Sequence, residues 1–305
     1  SYQSVEPDMQ GCVATIGNFD GMHLGHQALL TKTMEQAQQQ QVKSCVILFE
    51  PHPKEFFMME QCPPRLMSFR EKVTYLRDFG IDQVLLLRFN KKCASTTAQD
   101  FVADILVKGL AIKGLVVGHD FRFGHGRTGS VDTLKQASEQ WGFGLFAMSP
   151  HKVDEDLVSS TLIRQCLQNG DFDGVARLLG RRYLFTGRVC HGRGKGKQMG
   201  CPTANLAFNY RVMPLSGVFA AEVEDDSDQR FLAAVCVGYR PFVGGGERLL
   251  EAHLLDYHGN LYGKTIRVDI RKRLRDQWDF PSTGALRAQI SRDVTTVRAY
   301  FDHGD

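Results

Sequence analysis

No two of the eight cysteines in this chain of 305 residues form a Cys-x-x-Cys pair. Positions 12, 45, 62, 93, 166, 190, 201 and 236 are scattered, a spacing that argues against both a zinc site and a disulfide framework. Long apolar runs are missing as well, and nothing approaches the roughly 20 consecutive apolar residues of a membrane-spanning helix. No charged-then-apolar leader opens the chain, so the expected location is the cytoplasm. The two signs of charge nearly cancel: a formal net charge of +3 is too mild to indicate nucleic acid. Nothing points to an obligate protein partner or a membrane. What is plentiful is apolar side chain, 43% of the residues, which is ample for a core and excludes disorder. The length predicts two domains or one large one.

Chemistry-bearing residues concentrate first in Gly17-Asn18-Phe19-Asp20-Gly21-Met22-His23-Leu24-Gly25-His26. Val13 to Ile16 before it has the length of a buried strand, and Leu24, Ala28, Leu29 and Met34 recur at roughly helical spacing after it. The segment is therefore a strand-to-helix turn. Gly17 and Gly21 allow positive φ and close approach of a ligand, and the helix N-terminus suits a phosphate. His23 and His26 share a face if the helix starts there, and both can donate to phosphate oxygens as charge builds on them. A glycine-rich turn with no ligand is the plain alternative. A zinc site would need a third His or Cys nearby, and there is none. No Gly-Lys-Ser/Thr closes the segment, so it is not a Walker A loop. His-x-Gly-His after such a turn resembles the nucleotidyltransferase superfamily, whose members join a nucleotide to a phosphate and release pyrophosphate.

Further apolar strands are expected at 44–49, 83–87, 114–117 and 143–148, with amphipathic helices at 71–79, 98–110 and 131–141 between them. Such alternation implies a parallel sheet covered on both faces, with ligands beyond the carboxyl ends of its strands. Three motifs fall at such ends. Phe49-Glu50-Pro51-His52-Pro53 stiffens the backbone around His52, for a ligand or as a rigid turn. Gly118-His119-Asp120-Phe121-Arg122-Phe123-Gly124, with Arg127 after it, offers aromatics to a flat ring and Asp120 to its hydrogen bonds, or else is an aromatic-anchored loop. Val158 to Arg164 is a helix start where Ser159, Ser160 and Thr161 cap the helix, or with Arg164 hold departing phosphates. Together the four motifs resemble the adenylyltransferase half of the bacterial bifunctional riboflavin kinase/FMN adenylyltransferases, over Gly11 to about Arg182. The resemblance implies that His23, His26, Ser159, Ser160, Thr161 and Arg164 serve ATP and pyrophosphate. Gly17, Asn18, Phe19, Asp20 and Gly21 then belong to the nucleotide site, and His52, Asp120, Phe121 and Arg122 to the flavin.

From Tyr183 the rhythm changes, so the domains are set at 1–182 and 183–305. Strands are expected at 183–190, 217–224, 231–237, 249–256 and 265–274, and a closing helix at 285–300. Short strands separated by turns suggest a small closed barrel. Its chemistry lies in the basic loop His191 to Gly200 and in Cys201-Pro202-Thr203-Ala204-Asn205. Backbone N–H groups of such a loop can wrap phosphates, while Thr203 and Asn205 offer neutral oxygens to a phosphate-bound Mg²⁺. Glu251 faces away from Leu250 and Ala252, either as an exterior acid or as a base for an attacking hydroxyl.

Gly187-Arg188-Val189, Pro202-Thr203-Ala204-Asn205, Gly217-Val218-Phe219-Ala220, Leu250 to Asp256 and Leu261-Tyr262-Gly263 resemble the riboflavin kinase half of the same family. The expected fold is therefore an α/β Rossmann-like nucleotidyltransferase domain followed by a six-stranded riboflavin kinase barrel with a C-terminal helix. The resemblance implies Gly192, Lys195, Lys197, Thr203 and Asn205 on Mg-ATP, Arg240 on the flavin side and Glu251 as base. Lys197, Cys201, Cys236, Tyr239, Phe242 and Gln277 depart from the family pattern, and the departures bear on the flavin side of the kinase site. The expected function is phosphorylation of riboflavin to FMN and adenylylation of FMN to FAD, with ATP and Mg²⁺. The alternatives are a flavin-binding protein with a drifted kinase half, or a nucleotidyltransferase with another acceptor.

Overall fold

Strand β1 (Val13–Ile16) sits in the middle of a parallel five-stranded sheet of order β3-β2-β1-β4-β5, with β2 (Ser44–Glu50), β3 (Gln83–Arg88), β4 (Gly114–Gly118) and β5 (Gly144–Met148). The structure, a computed structural model, describes residues 6–191, 202–207, 214–240 and 247–302, without the side chains of residues 60, 207, 239, 240 and 247–249. The chain divides into two compact units, Ser1–Pro63 with Met67–Ser160, and Pro64–Leu66 with Thr161–Asp305.

Alternate residues of the continuously apolar strands go to opposite faces of the first unit's sheet. Cys45 and Ile47 of β2 pack with Ile105, Leu106, Leu115 and Leu134, while Val46 and Leu48 pack with Phe19, Met22, Leu30 and Leu76. The covering elements are α1 (Leu24–Gln39), α2 (Pro53–Met58), α3 (Phe69–Phe79), the short α4 (Lys91–Ala94) and α5 (Ala98–Asp100), a π-helix over Phe101–Gly109, and α6 (Val131–Trp141). A small hairpin follows, β6 (Lys152–Val153) with β7 (Asp156–Leu157). The sequence predicts one ordinary helix over 98–110, but from Phe101 the winding widens, and the Leu110 N–H reaches Ile105 O at 2.9 Å. Wider turns bring Phe101, Val102, Ile105, Leu106 and Leu110 together onto the sheet, which the apolar pattern alone does not distinguish from an α-helix. Strand order reverses between β1 and β4, and a crevice outside the carboxyl ends at that point is where a doubly wound sheet binds its ligand.

The second unit begins with α7 (Ser160–Asn169, entering the unit at Thr161) and α8 (Phe172–Leu179). Asp171 caps α8 by accepting from Gly174 N–H, as its place after Asn169-Gly170 predicts. Strands β8 (Leu184–Cys190), β9 (Ala204–Ala207), β10 (Gly217–Glu224), β11 (Arg230–Arg240), β12 (Glu247–Leu254) and β13 (Thr265–Arg275) form a closed antiparallel barrel of order β10-β11-β12-β9-β8-β13. Five of these strands are legible as runs; β9, four residues long, is not. Helix α9 (Thr283–Asp302) lies on the barrel's outer wall, where Val297 meets Ala220 and Ala234. A buried ion pair fixes it there: Arg275 Nη2 donates to Asp293 Oδ2 at 2.7 Å, and its guanidinium lies 4.8 Å from the Trp278 ring. The Phe172 ring of α8 stands edge-on to Phe219 of β10 at 5.9 Å.

Candidate active sites

The turn after β1 is built by burying its apolar members. Phe19 and Met22 enter the core beside Leu76, and to do so they take φ of 47° and 48°, with Gly21 at 86° between them. Gly17 is required by space, since a Cβ there would lie 2.9 Å from the Phe19 ring. The polar members are held by other elements. The Asn18 carbonyl accepts from Lys72 Nζ of α3, the Asp20 carboxylate accepts from Met67 N–H at 3.2 Å, and the Asp20 carbonyl accepts from Ser160 Oγ at 2.9 Å.

Helix α1 starts at Leu24, so His23 is its cap rather than a member of its first turn. His23 Nδ1 accepts from the His26 backbone N–H at 3.2 Å, and the two imidazoles stack with centroids 3.6 Å apart. Burial depresses His23 to about 4, with the nearby His151 adding to the effect. Burial first, then His23 and Lys72, hold His26 well below the usual histidine range. Both rings are therefore neutral at pH 7. With Nδ1 accepting, the neutral His23 carries its proton on Nε2, where it is a donor. His26 Nδ1 is buried without a hydrogen-bond partner among the described residues.

The other predicted residues of this half lie on neighbouring loops. His52 caps α2, accepting at Nδ1 from Lys54 N–H at 3.0 Å, with Pro53 in the first helical position. Asp120 and Arg122 are exposed, whereas Phe121 turns inward and stacks on Phe123 at 5.6 Å. Ring contacts run on from Phe123 to Phe101, Phe49, Phe89 and Phe56, so one aromatic row underlies the loops of both His52 and Asp120. Ser159 and Ser160 are half-buried and Thr161 is exposed. Arg164 donates through Nε to the Pro64 carbonyl at 2.6 Å. Sequence reasoning missed Lys72. Its available signal is position: three residues after Phe69 and four before Leu76, it falls on the apolar stripe of α3.

In the barrel, Glu251 of β12 pairs directly with Cys236 of β11 on one side and Asn205 of β9 on the other, and Asn205 pairs with Cys190 of β8. Directly paired residues share a face, so these four form one row across four strands. The row is on the outer wall, because His253, two residues from Glu251, pairs with Ala234 beneath α9. Leu250 and Ala252 fill the interior, as the alternation predicts. Asn205 is 5% exposed, and its Nδ2 donates to Thr203 O at 3.2 Å. His253 Nδ1 lies 2.8 Å from Pro202 O and holds the same segment. Among the described residues there is no group of three or more His, Cys, Asp or Glu that could hold a metal ion. The Gln277 side chain reaches Gly238, which joins two of the segments that depart from the family pattern. Gly192, Lys195, Lys197, Cys201 and Phe242 lie outside the described residues, as do the side chains of Tyr239 and Arg240.

Comparison with known proteins agrees with this division of chemistry. The family model for FAD synthetase matches residues 5–162 and that for riboflavin kinase matches 179–301. The chain is 42% identical over 292 residues to the bifunctional riboflavin kinase/FMN adenylyltransferase of Escherichia coli K12, spanning 96% of this chain and 93% of that protein. It is 43% identical over 297 residues to the protein of the same name from Pseudomonas fluorescens, spanning 97% and 95%. A crystal structure named as a macrolide-efflux protein from Streptococcus pneumoniae superposes with a TM-score of 0.80 at 29% identity, covering 97% of this chain and 96% of that one. No helix among the described residues is long and apolar enough to cross a membrane.

Proposed function

The chain belongs to the bifunctional riboflavin kinase/FMN adenylyltransferase family, and from that premise we propose how its own residues divide the two reactions. The barrel transfers the γ-phosphate of ATP to the ribityl hydroxyl of riboflavin, giving FMN and ADP. The parallel-sheet unit then lets the FMN phosphate attack the α-phosphorus of a second ATP, giving FAD and pyrophosphate. Neither step needs a covalent intermediate with the protein, so positioning and charge stabilisation carry both.

In the first unit the observation that carries the assignment is the stacked, neutral pair His23 and His26 at the head of α1. His23 Nε2–H and the helix N-terminus face developing negative charge on the phosphates as donors whose protonation is already set by burial. Gly17, Asn18, Phe19, Asp20 and Gly21 shape the nucleotide side. Ser159, Ser160, Thr161 and Arg164 serve the leaving pyrophosphate, a role that rests on their motif. His52, Asp120, Phe121 and Arg122 serve the flavin, supported by the aromatic row beneath both loops.

In the second unit Glu251 takes the proton from the ribityl hydroxyl. Thr203 and Asn205 hold Mg²⁺, which neutralises phosphate charge when bound. Glu251 and Asn205 are one strand apart on the same wall, which supports their acting on the two ends of one transfer. Gly192, Lys195 and Lys197 grip ATP and Arg240 the flavin, by motif. The boundary between the two activities is proposed at 182/183, where the sequence rhythm changes, although the compact units divide at Ser160/Thr161. A cytoplasmic setting is part of the proposal and fits the seven described cysteines, all free thiols.

Purified protein incubated with ATP, Mg²⁺ and riboflavin, with the flavins then separated by chromatography, tests the division. FMN and FAD must both form, and supplied FMN must yield FAD with one pyrophosphate each. Adenylylation that needs riboflavin and ignores supplied FMN sinks the two-site assignment.

A further inference from the structure

Lys72 has no part in the motifs above, yet it is 5% exposed, a lysine carried into the core on α3. An ammonium there loses most of its hydration, which is costly unless the fold uses the charge. The start of α3 is fixed by a capping box, in which Ser68 Oγ accepts from Glu71 N–H and Ser68 N–H donates to Glu71 Oε2. One residue further on, Lys72 Nζ donates to the carbonyl of Asn18, in the turn where Phe19, Gly21 and Met22 all take positive φ. Met67 N–H holds the same turn through the Asp20 carboxylate.

We propose that Lys72 is a positioning residue of the adenylyl-transfer site: by donating to the Asn18 carbonyl it pins the strained turn that leads into His23 and His26, and it brings its ammonium to that turn from α3. The inference rests on the assignment of His23 and His26 to the ATP phosphates. His26 is faced by His23 and Phe19 on its own segment and by Lys72 from α3, with the Asp20 carboxylate in the turn and His151 beyond β5 facing His23. Among these, Lys72 is the cationic side chain that another element brings to the turn. Its repulsion adds to burial in opposing protonation of His26, and without it the ring accepts a proton more readily.

The test uses the full chain with Lys72→Met and Lys72→Arg. Histidine-ring NMR titration follows His26, and FMN and FAD formation are timed separately. In Lys72→Met the His26 titration is expected to move to higher pH. FAD formation from supplied FMN should fall tenfold or more in kcat, and FMN formation from riboflavin, which serves as the folding control, should stay within twofold. Lys72→Arg keeps the charge and is expected to leave the His26 titration in place and cost less than tenfold. FAD formation within twofold of wild type in Lys72→Met overturns the proposal, and so does a loss of FAD formation with His26 unmoved. Should Lys72→Met not fold, an upward His26 titration in the folded Lys72→Arg protein overturns it as well. His26→Ala separates this from the reading beneath it: if that variant makes FAD normally, the assignment of the histidines fails whatever Lys72 does to the titration.

Discussion

Acid is expected to destabilise the first unit through its stacked histidines. Burial and the neighbouring His151 hold His23 at about 4, against an ordinary 6.5 in the unfolded chain. Between those values the unfolded state binds a proton that the folded state refuses, so stability rises with pH across the window. The contribution is fully present above about pH 6.5 and is lost as the pH falls toward 4. A gap of about 2.5 pH units at about 1.4 kcal/mol each gives about 3.5 kcal/mol from His23 alone, of which about 3 kcal/mol is lost by pH 4, and His26 shifts in the same direction. That is a large share of the roughly 5–15 kcal/mol by which domains are stable. Urea denaturation at half-unit steps from pH 7.5 to 4 measures it, comparing wild type with His23→Asn. Asparagine accepts at an N-cap as well as any residue, so the bond from His26 N–H survives while the titrating ring is gone. The variant should lose about 3 kcal/mol less than wild type over the window. Parallel stability curves for the two proteins refute the reasoning.

Three further outcomes follow from the sites. His26→Ala should slow FAD formation about a hundredfold or more and leave FMN formation intact, and equal loss of both activities would tell against two separate sites. Glu251→Gln should cost the kinase about a hundredfold to ten-thousandfold while supplied FMN still becomes FAD; near-normal phosphorylation demotes Glu251 to an exterior acid. The fragment 183–305 should make FMN and never FAD. Because it lacks the Phe172 ring that stands against Phe219, it should melt below the fragment 161–305, and equal melting temperatures would show that α8 contributes nothing to the barrel.

The parallel sheet was legible because its central strands β1, β2 and β4 are buried on both faces and read as continuous apolar runs such as Cys45 to Phe49. The barrel was less so, since β9 offers four residues and its burial depends on partners distant in sequence. Motif spacing singled out His23, His26, Asn205 and Glu251 as candidates, but not what their side chains do locally. That His23 would cap α1 and stack on His26 depends on where the helix begins, within one residue. Lys72 was invisible as chemistry because a lysine amid Arg70, Glu71 and Arg77 reads as part of a solvated helix face. Only the packing of α3 shows which of those charges is inside.

With the roles proposed for Glu251 and Asn205, the outer-wall row of Cys236, Glu251, Asn205 and Cys190 would tie catalysis to strand register. Neighbouring strands are spaced by about 4.8 Å, so the carboxylate and the amide are set apart by the sheet itself and not by a loop. A slip of β12 by one residue would turn Glu251 into the interior and force Leu250 or Ala252 onto the wall. On that proposal the apolar interior is the alignment gauge of the phosphate-transfer site, and substitutions at Leu250, Ala252 or Leu206 that loosen register should silence the kinase without touching a substrate. In such variants phosphorylation would report on hydrogen-bond pairing inside the barrel, an internal ruler read by the production of FMN.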